Sequence, residues 1–123
     1  MTGVSLDGRR FRSVENEDGD VDASTTFEYH EDEEEDGDGT LVWARYGGGS
    51  IRLGFLVGVR DGDSLSARYA QVTTDGRTAT GHTESRIEVL ADGRVRLHED
   101  WEWDSREGSG TSVVEEVERS AEL

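Results

Sequence analysis

Apolar and polar side chains alternate with a period of two along most of the chain. The clearest run is Ile51, Leu53, Phe55, Val57 and Val59, separated by Arg52, Gly54, Leu56 and Gly58. Five apolar residues on one parity predict a strand that buries that face. Val95, Leu97, Glu99, Trp101 and Trp103 form a second run, against Arg96, His98, Asp100 and Glu102 on the opposite parity. Weaker alternation joins Leu65, Ala67, Tyr69 and Gln71, and Phe27 with Tyr29. Residues 40–46 are aromatic and β-branched without a clear parity, as are residues 78–90.

Turn dipeptides separate these runs. Asp-Gly occurs at residues 7–8, 18–19, 61–62, 75–76 and 92–93, and Gly47-Gly48-Gly49 fills the same role. Asp-Gly suits the positive φ of tight hairpin turns. About eight strands follow, over 9–15, 22–30, 40–46, 50–60, 64–73, 77–90, 94–104 and 111–118. Neighbours joined by short turns make an antiparallel meander. Residues 112–122 alone carry a competing helix pattern, with a capping box at Ser112–Glu115, although strand alternation also fits. Closing such a ribbon removes its edges. The fold expected is therefore all-β, a meander of about eight strands closed into a lipocalin-like barrel. An open rolled sheet or a sandwich is the alternative. Residues 1–123 form one domain in this reading, with an acidic hairpin tip at 31–39.

Composition narrows the functions. The 123 residues include 29 Asp and Glu against 13 basic residues, all Arg, for a net charge of -16; there is no Cys and no Pro. Disulfides, a zinc-thiolate site, a cysteine nucleophile and a lysine Schiff base are excluded. The field repels phosphate, so no nucleic-acid partner is expected. Such charge opposes compaction in dilute salt, whereas at about 1 M the Debye length shrinks to about 3 Å. The balance points to the salt-rich cytoplasm of a halophile. No apolar stretch of signal-peptide or membrane-spanning length is present, so a cytoplasmic protein is expected, with no membrane partner.

Within the candidate barrel, Glu99 shares its parity with Val95, Leu97, Trp101 and Trp103. A carboxylate there needs a hydrogen bond or a cation, and Arg45, Arg68 and Arg86 are the candidate partners. Tyr69, Gln71 and Glu99 over a floor of Trp43 and Trp101 make up the expected ligand site, since small-molecule pockets are apolar with a few convergent polar groups. The acidic run His30–Gly39 matches a calcium loop only in part, with Trp43 at the position that requires Glu. His82 and Glu84 share a face, yet no convergent set of metal ligands emerges, and no metal or cofactor is expected. Gly-x-Ser-x-Gly, a phosphate-binding glycine loop and His-Glu-x-x-His are all absent.

The segments Asp7–Ser13, Leu41–Tyr46 and Asp92–Glu99, continuing through Trp101-Glu102-Trp103 to Val113–Glu116, resemble a family of small prokaryotic proteins that often carry an N-acetylglutamate synthase label. An acetyltransferase of the usual kind holds the acetyl-CoA pyrophosphate on a glycine-rich turn that opens a helix. No such turn precedes a helix here, so the resemblance implies a compact domain without fixing its activity. The function expected is a non-enzymatic barrel binding a small-molecule ligand. The alternatives are an enzyme using Glu99 at the barrel mouth, and an interaction domain with a filled core. A monomer, or a homodimer through a sheet face, fits each.

Overall fold

The computed structural model describes residues 5–16, 24–33 and 39–117. Eight strands follow one another: β1 (Arg10–Asn16), β2 (Thr26–Glu33), β3 (Thr40–Gly48), β4 (Ile51–Asp61), β5 (Ser64–Thr73), β6 (Thr78–Val89), β7 (Val95–Trp103) and β8 (Ser109–Glu116). Each pairs antiparallel with the next, and β8 pairs with β1, so the sheet closes into a barrel. The expected all-β meander is thus present in its closed form. Residues 109–116 are strand, and no helix occurs among the described residues. Residues 118–123, the Asp18-Gly19 turn and most of the acidic tip lie outside the described residues.

Gly62 and Gly93, in the hairpins β4–β5 and β6–β7, adopt φ of 63° and 90°, which Gly reaches without a Cβ penalty. The loops β3–β4, β5–β6 and β7–β8 gather at one end of the barrel, and the hairpins β4–β5 and β6–β7 at the opposite end.

On β7, Val95, Leu97, Trp101 and Trp103 are buried, and on β5 Leu65, Ala67 and Gln71 are buried, as their alternation predicts. The run on β4 behaves differently. Ile51 is buried, but Leu53, Phe55, Val57 and Val59 face outward, 36 to 55% exposed. The inner face of β4 carries Gly54, Leu56 and Arg60 instead. A register shift between Ile51 and Leu53 reverses the parity, because one extra residue moves every later side chain to the opposite face.

The end holding the β4–β5 and β6–β7 hairpins is plugged. Leu6, Phe11, Val42, Leu65, Ile87, Val95, Leu97 and Val114 fill it. Two ion pairs are buried there. Arg60 pairs with Glu31, which also accepts the Leu6 amide at 3.0 Å. Arg9 meets Glu116 at 2.7 Å, and Glu116 accepts the Val95 amide at 3.0 Å. Each carboxylate therefore has both a cation and a backbone donor, the condition for burying it at tolerable cost.

Candidate ligand site in the barrel lumen

Nearer the other end, the inner wall becomes aromatic and polar. Trp101 and Trp103 on β7 meet edge to face with centroids 5.7 Å apart, and Tyr69 on β5 packs against Trp103 in the same manner at 5.7 Å. Arg106, in the β7–β8 loop, lies with its guanidinium carbon 4.2 Å from the Trp103 ring centre. Across the barrel, Tyr46 stacks on Phe27 at 4.8 Å and donates to Gln71 at 3.0 Å. Tyr46 faces Gly54 across β3–β4, and Tyr69 faces Gly81 across β5–β6. The absent side chains at these glycines admit the two rings.

The middle tier is polar. Register places Ser85, Glu99 and Ser112 side by side across β6, β7 and β8. Ser112 donates to one Glu99 oxygen at 2.7 Å. Glu99 lies on the inward parity of β7 between the buried Leu97 and Trp101 and is itself only partly buried. Burial pushes its pKa up to about 7, against the opposing effect of the Ser112 hydrogen bond. Burial also raises the hydroxyl pKa of Tyr29, Tyr46 and Tyr69, and the Glu99 carboxylate adds to each shift. Glu99 and three tyrosines from β2, β3 and β5 therefore share one lumen.

Four buried polar atoms in this region have no hydrogen-bond partner: Tyr29 Oη, Thr83 Oγ1, Ser85 Oγ and Trp101 Nε1. Native interiors rarely leave such groups unpaired, since each costs about 1–3 kcal/mol. Three of them lie on the adjacent strands β6 and β7, and the fourth, Tyr29 Oη, lies on β2, four strands from β6 round the barrel.

Of the residues singled out from sequence, Tyr69, Gln71, Glu99 and Trp101 face this lumen. Trp43 does not. It lies on the outer wall of β3, 39% exposed and stacked on His30 at 4.3 Å. The unclear parity of residues 40–46 concealed this, because Val42, Ala44 and Tyr46 point inward instead. Arg45, Arg68 and Arg86 are also corrected: all three are exposed outside, and Arg68 pairs with Asp104 at 3.1 Å. Glu99 is held by Ser112, and the buried ion pairs occur at the plugged end. His82 meets Asp104 at 2.9 Å and Glu102 at 3.3 Å on the outer wall, not Glu84. No cluster of three metal-ligating side chains occurs among the described residues. Tyr29, Thr83, Ser85 and Ser112 were not anticipated. For Ser112 the competing helix pattern hid the strand parity; Tyr29 alternated with Phe27 in plain view.

No curated protein and no solved structure matches the sequence. The family model described as avidin-like protein matches residues 4–117. That span takes in all eight strands and every lumen residue named above, and the chain belongs to the avidin-like protein family.

Proposed function

We propose that this protein binds a small molecule inside the barrel, without catalysis, between the aromatic wall of Tyr69, Trp101 and Trp103 and the polar tier of Tyr29, Thr83, Ser85, Glu99 and Ser112. One observation carries the reading: four buried polar atoms on inward positions of β2, β6 and β7 have no hydrogen-bond partner. A ligand head that engaged the hydroxyls of Tyr29, Thr83 and Ser85 would recover several hydrogen bonds at once. The family supports it too, since avidin-like proteins bind small ligands such as biotin. Gln71, already engaged by Tyr46, holds that ring in place at the edge of the site. Thermal unfolding in molar KCl with biotin and a panel of small metabolites tests the reading. A ligand at about 100 times its Kd adds about 2.7 kcal/mol. The shift should disappear in Trp101→Ala, and a panel with no stabilising member would refute the proposal.

The outer wall supports a second element of function, self-association. Leu41, Trp43, Leu53, Phe55, Val57 and Val59 are each 36 to 55% exposed on adjacent strands β3 and β4. An apolar patch of this kind marks an interaction surface. The occupant is a second copy of the chain. On a molecule of net charge -16, the outward side chains of β3–β5 include Arg45, Arg52 and Arg68 and no acid until Asp61 at the end of β4. Two such faces can approach without meeting acid on acid. Light scattering should report a dimer for the parent and a monomer for Val57→Asp. A monomeric parent at high concentration would refute the homodimer. We place this protein, as one domain, in a salt-rich cytoplasm. That placement rests on the composition.

A further inference from the structure

The polar tier contains one group that the protein leaves half used. Ser112 donates to one oxygen of Glu99, and no donor or cation among the described residues engages the other. The arginines of the neighbouring strands all lie elsewhere. Arg45, Arg68 and Arg86 are exposed outside, Arg96 pairs with Glu115 at 2.8 Å, and Arg9 and Arg60 serve the plugged end. The contrast with Glu31 and Glu116 is informative. Both of those carboxylates have a guanidinium and a backbone amide, so this barrel neutralises buried acids when they serve only structure. Around Glu99 the remaining groups are hydroxyls, which accept as well as donate, and aromatic faces, which attract cations. An anionic head would meet the carboxylate in a water-poor space, where repulsion is strong.

We propose that the lumen selects ligands whose head is a small organic cation bearing N–H donors, such as an amidinium, guanidinium or primary ammonium, and that Glu99 receives it. The inference rests on the lumen being a ligand site. The cation donates to the free oxygen of Glu99 and to the hydroxyl oxygens of Tyr29, Thr83 and Ser85, and the tail lies along Trp101 and Trp103. Trp101 Nε1, a donor only, takes no part in holding the head.

Between pH 6 and 8 only Glu99 changes charge among the inward side chains of this region. Tyr29 from β2, Tyr46 from β3 and Tyr69 from β5 stay protonated, because burial raises each. Ser13, Leu56, Ser85 and Ser112, from β1, β4, β6 and β8, carry no charge. His30, His82 and His98 lie on the outer wall, paired with Asp7, Asp104 and Glu88.

Benzamidine and benzamide share a ring and differ in the charge of the head, so calorimetry with this pair, and with biotin as a neutral-headed control, tests the inference. At pH 8 in molar KCl, benzamidine should bind at least tenfold more tightly than benzamide. Its affinity should fall about tenfold from pH 8 to pH 6, with close to one proton released to buffer per ligand bound at the lower pH. Glu99→Gln should abolish both the preference and the pH dependence. Equal binding of the two probes, or a preference that survives Glu99→Gln, overturns the inference. Biotin binding without any amidinium preference would remove the cationic head and leave the ligand site standing. No binding by any of the three probes would also overturn the inference, and the metabolite panel then decides the ligand site separately.

Discussion

A Cβ built on Gly54 would lie 2.3 Å from Cζ of Tyr46, and one on Gly81 would lie 2.4 Å from the Tyr69 hydroxyl. Neither ring can yield cheaply. Tyr46 is stacked on Phe27 and bonded to Gln71, and Tyr69 leans on Trp103. Gly54→Ala and Gly81→Ala should each cost about 1–3 kcal/mol in denaturant unfolding, the range for overpacking a filled interior. The cause differs at Gly62, where a Cβ meets nothing within 4 Å and only the φ of 63° resists. Ala there should cost about 1–2 kcal/mol and leave ligand binding untouched. At Glu99 the sign runs the other way. Its pKa rises on folding from 4.5 to about 7, so the folded state holds the proton more tightly than the unfolded chain. The stability this contributes is complete below about pH 4.5 and is lost as pH climbs through 7. Without ligand, Glu99→Gln should therefore match the parent near pH 4 and exceed it at pH 8 by about 1–3 kcal/mol. Urea titrations at the two pH values check this, and a variant weaker at pH 8 would contradict it.

Single strands show how far an alternating pattern can be trusted. β7 was legible because its outward parity is charged or imidazole throughout, so only one face could be buried. β4 was not, because Ile51, Leu53, Phe55, Val57 and Val59 look like one face until the register shift after Ile51 divides them. The glycines opposite were the overlooked signal: Gly54 and Gly58 face inward because Tyr46 and Ala67 occupy their space. The eight-strand meander and its closure were readable from turn chemistry. The lumen was readable in part, through Tyr69, Gln71, Glu99 and Trp101. Glu31 was hidden inside a run of acids that reads as solvated. Its burial against Arg60, each 7% exposed, follows the parity of Phe27 and Tyr29 on β2 but also needs the inward parity of β4, which the shift after Ile51 conceals. Arg60→Met should thus cost about 3–5 kcal/mol by stranding Glu31, and Glu31→Leu added to it should restore a part. A double variant weaker than Arg60→Met alone would show that Glu31 serves chiefly by accepting the Leu6 amide.

Over the whole molecule, charge and apolar surface are segregated. Acids occupy the outward positions of β2, β6, β7 and β8, among them Glu28, Glu84, Glu88, Asp100, Glu102 and Glu115, whereas β3 and β4 expose Trp43, Phe55, Val57 and Val59. Lowering the salt acts on both features. The Debye length grows from about 3 Å at 1 M to about 10 Å at 0.1 M, so neighbouring carboxylates repel one another over greater distances. Apolar association weakens as well when the two -16 protomers are less screened. Melting temperature should consequently fall as KCl is reduced from 3 M to 0.1 M, and the dimer should dissociate over the same range. Val57→Asp separates the effects. It should remove the proposed dimer at every salt concentration while leaving the carboxylates of β2 and β6–β8 in place, so its melting temperature should retain most of the salt dependence. If that variant proved insensitive to salt, stabilisation by KCl would stem from association through β3 and β4, and the acidic surface would not by itself require brine.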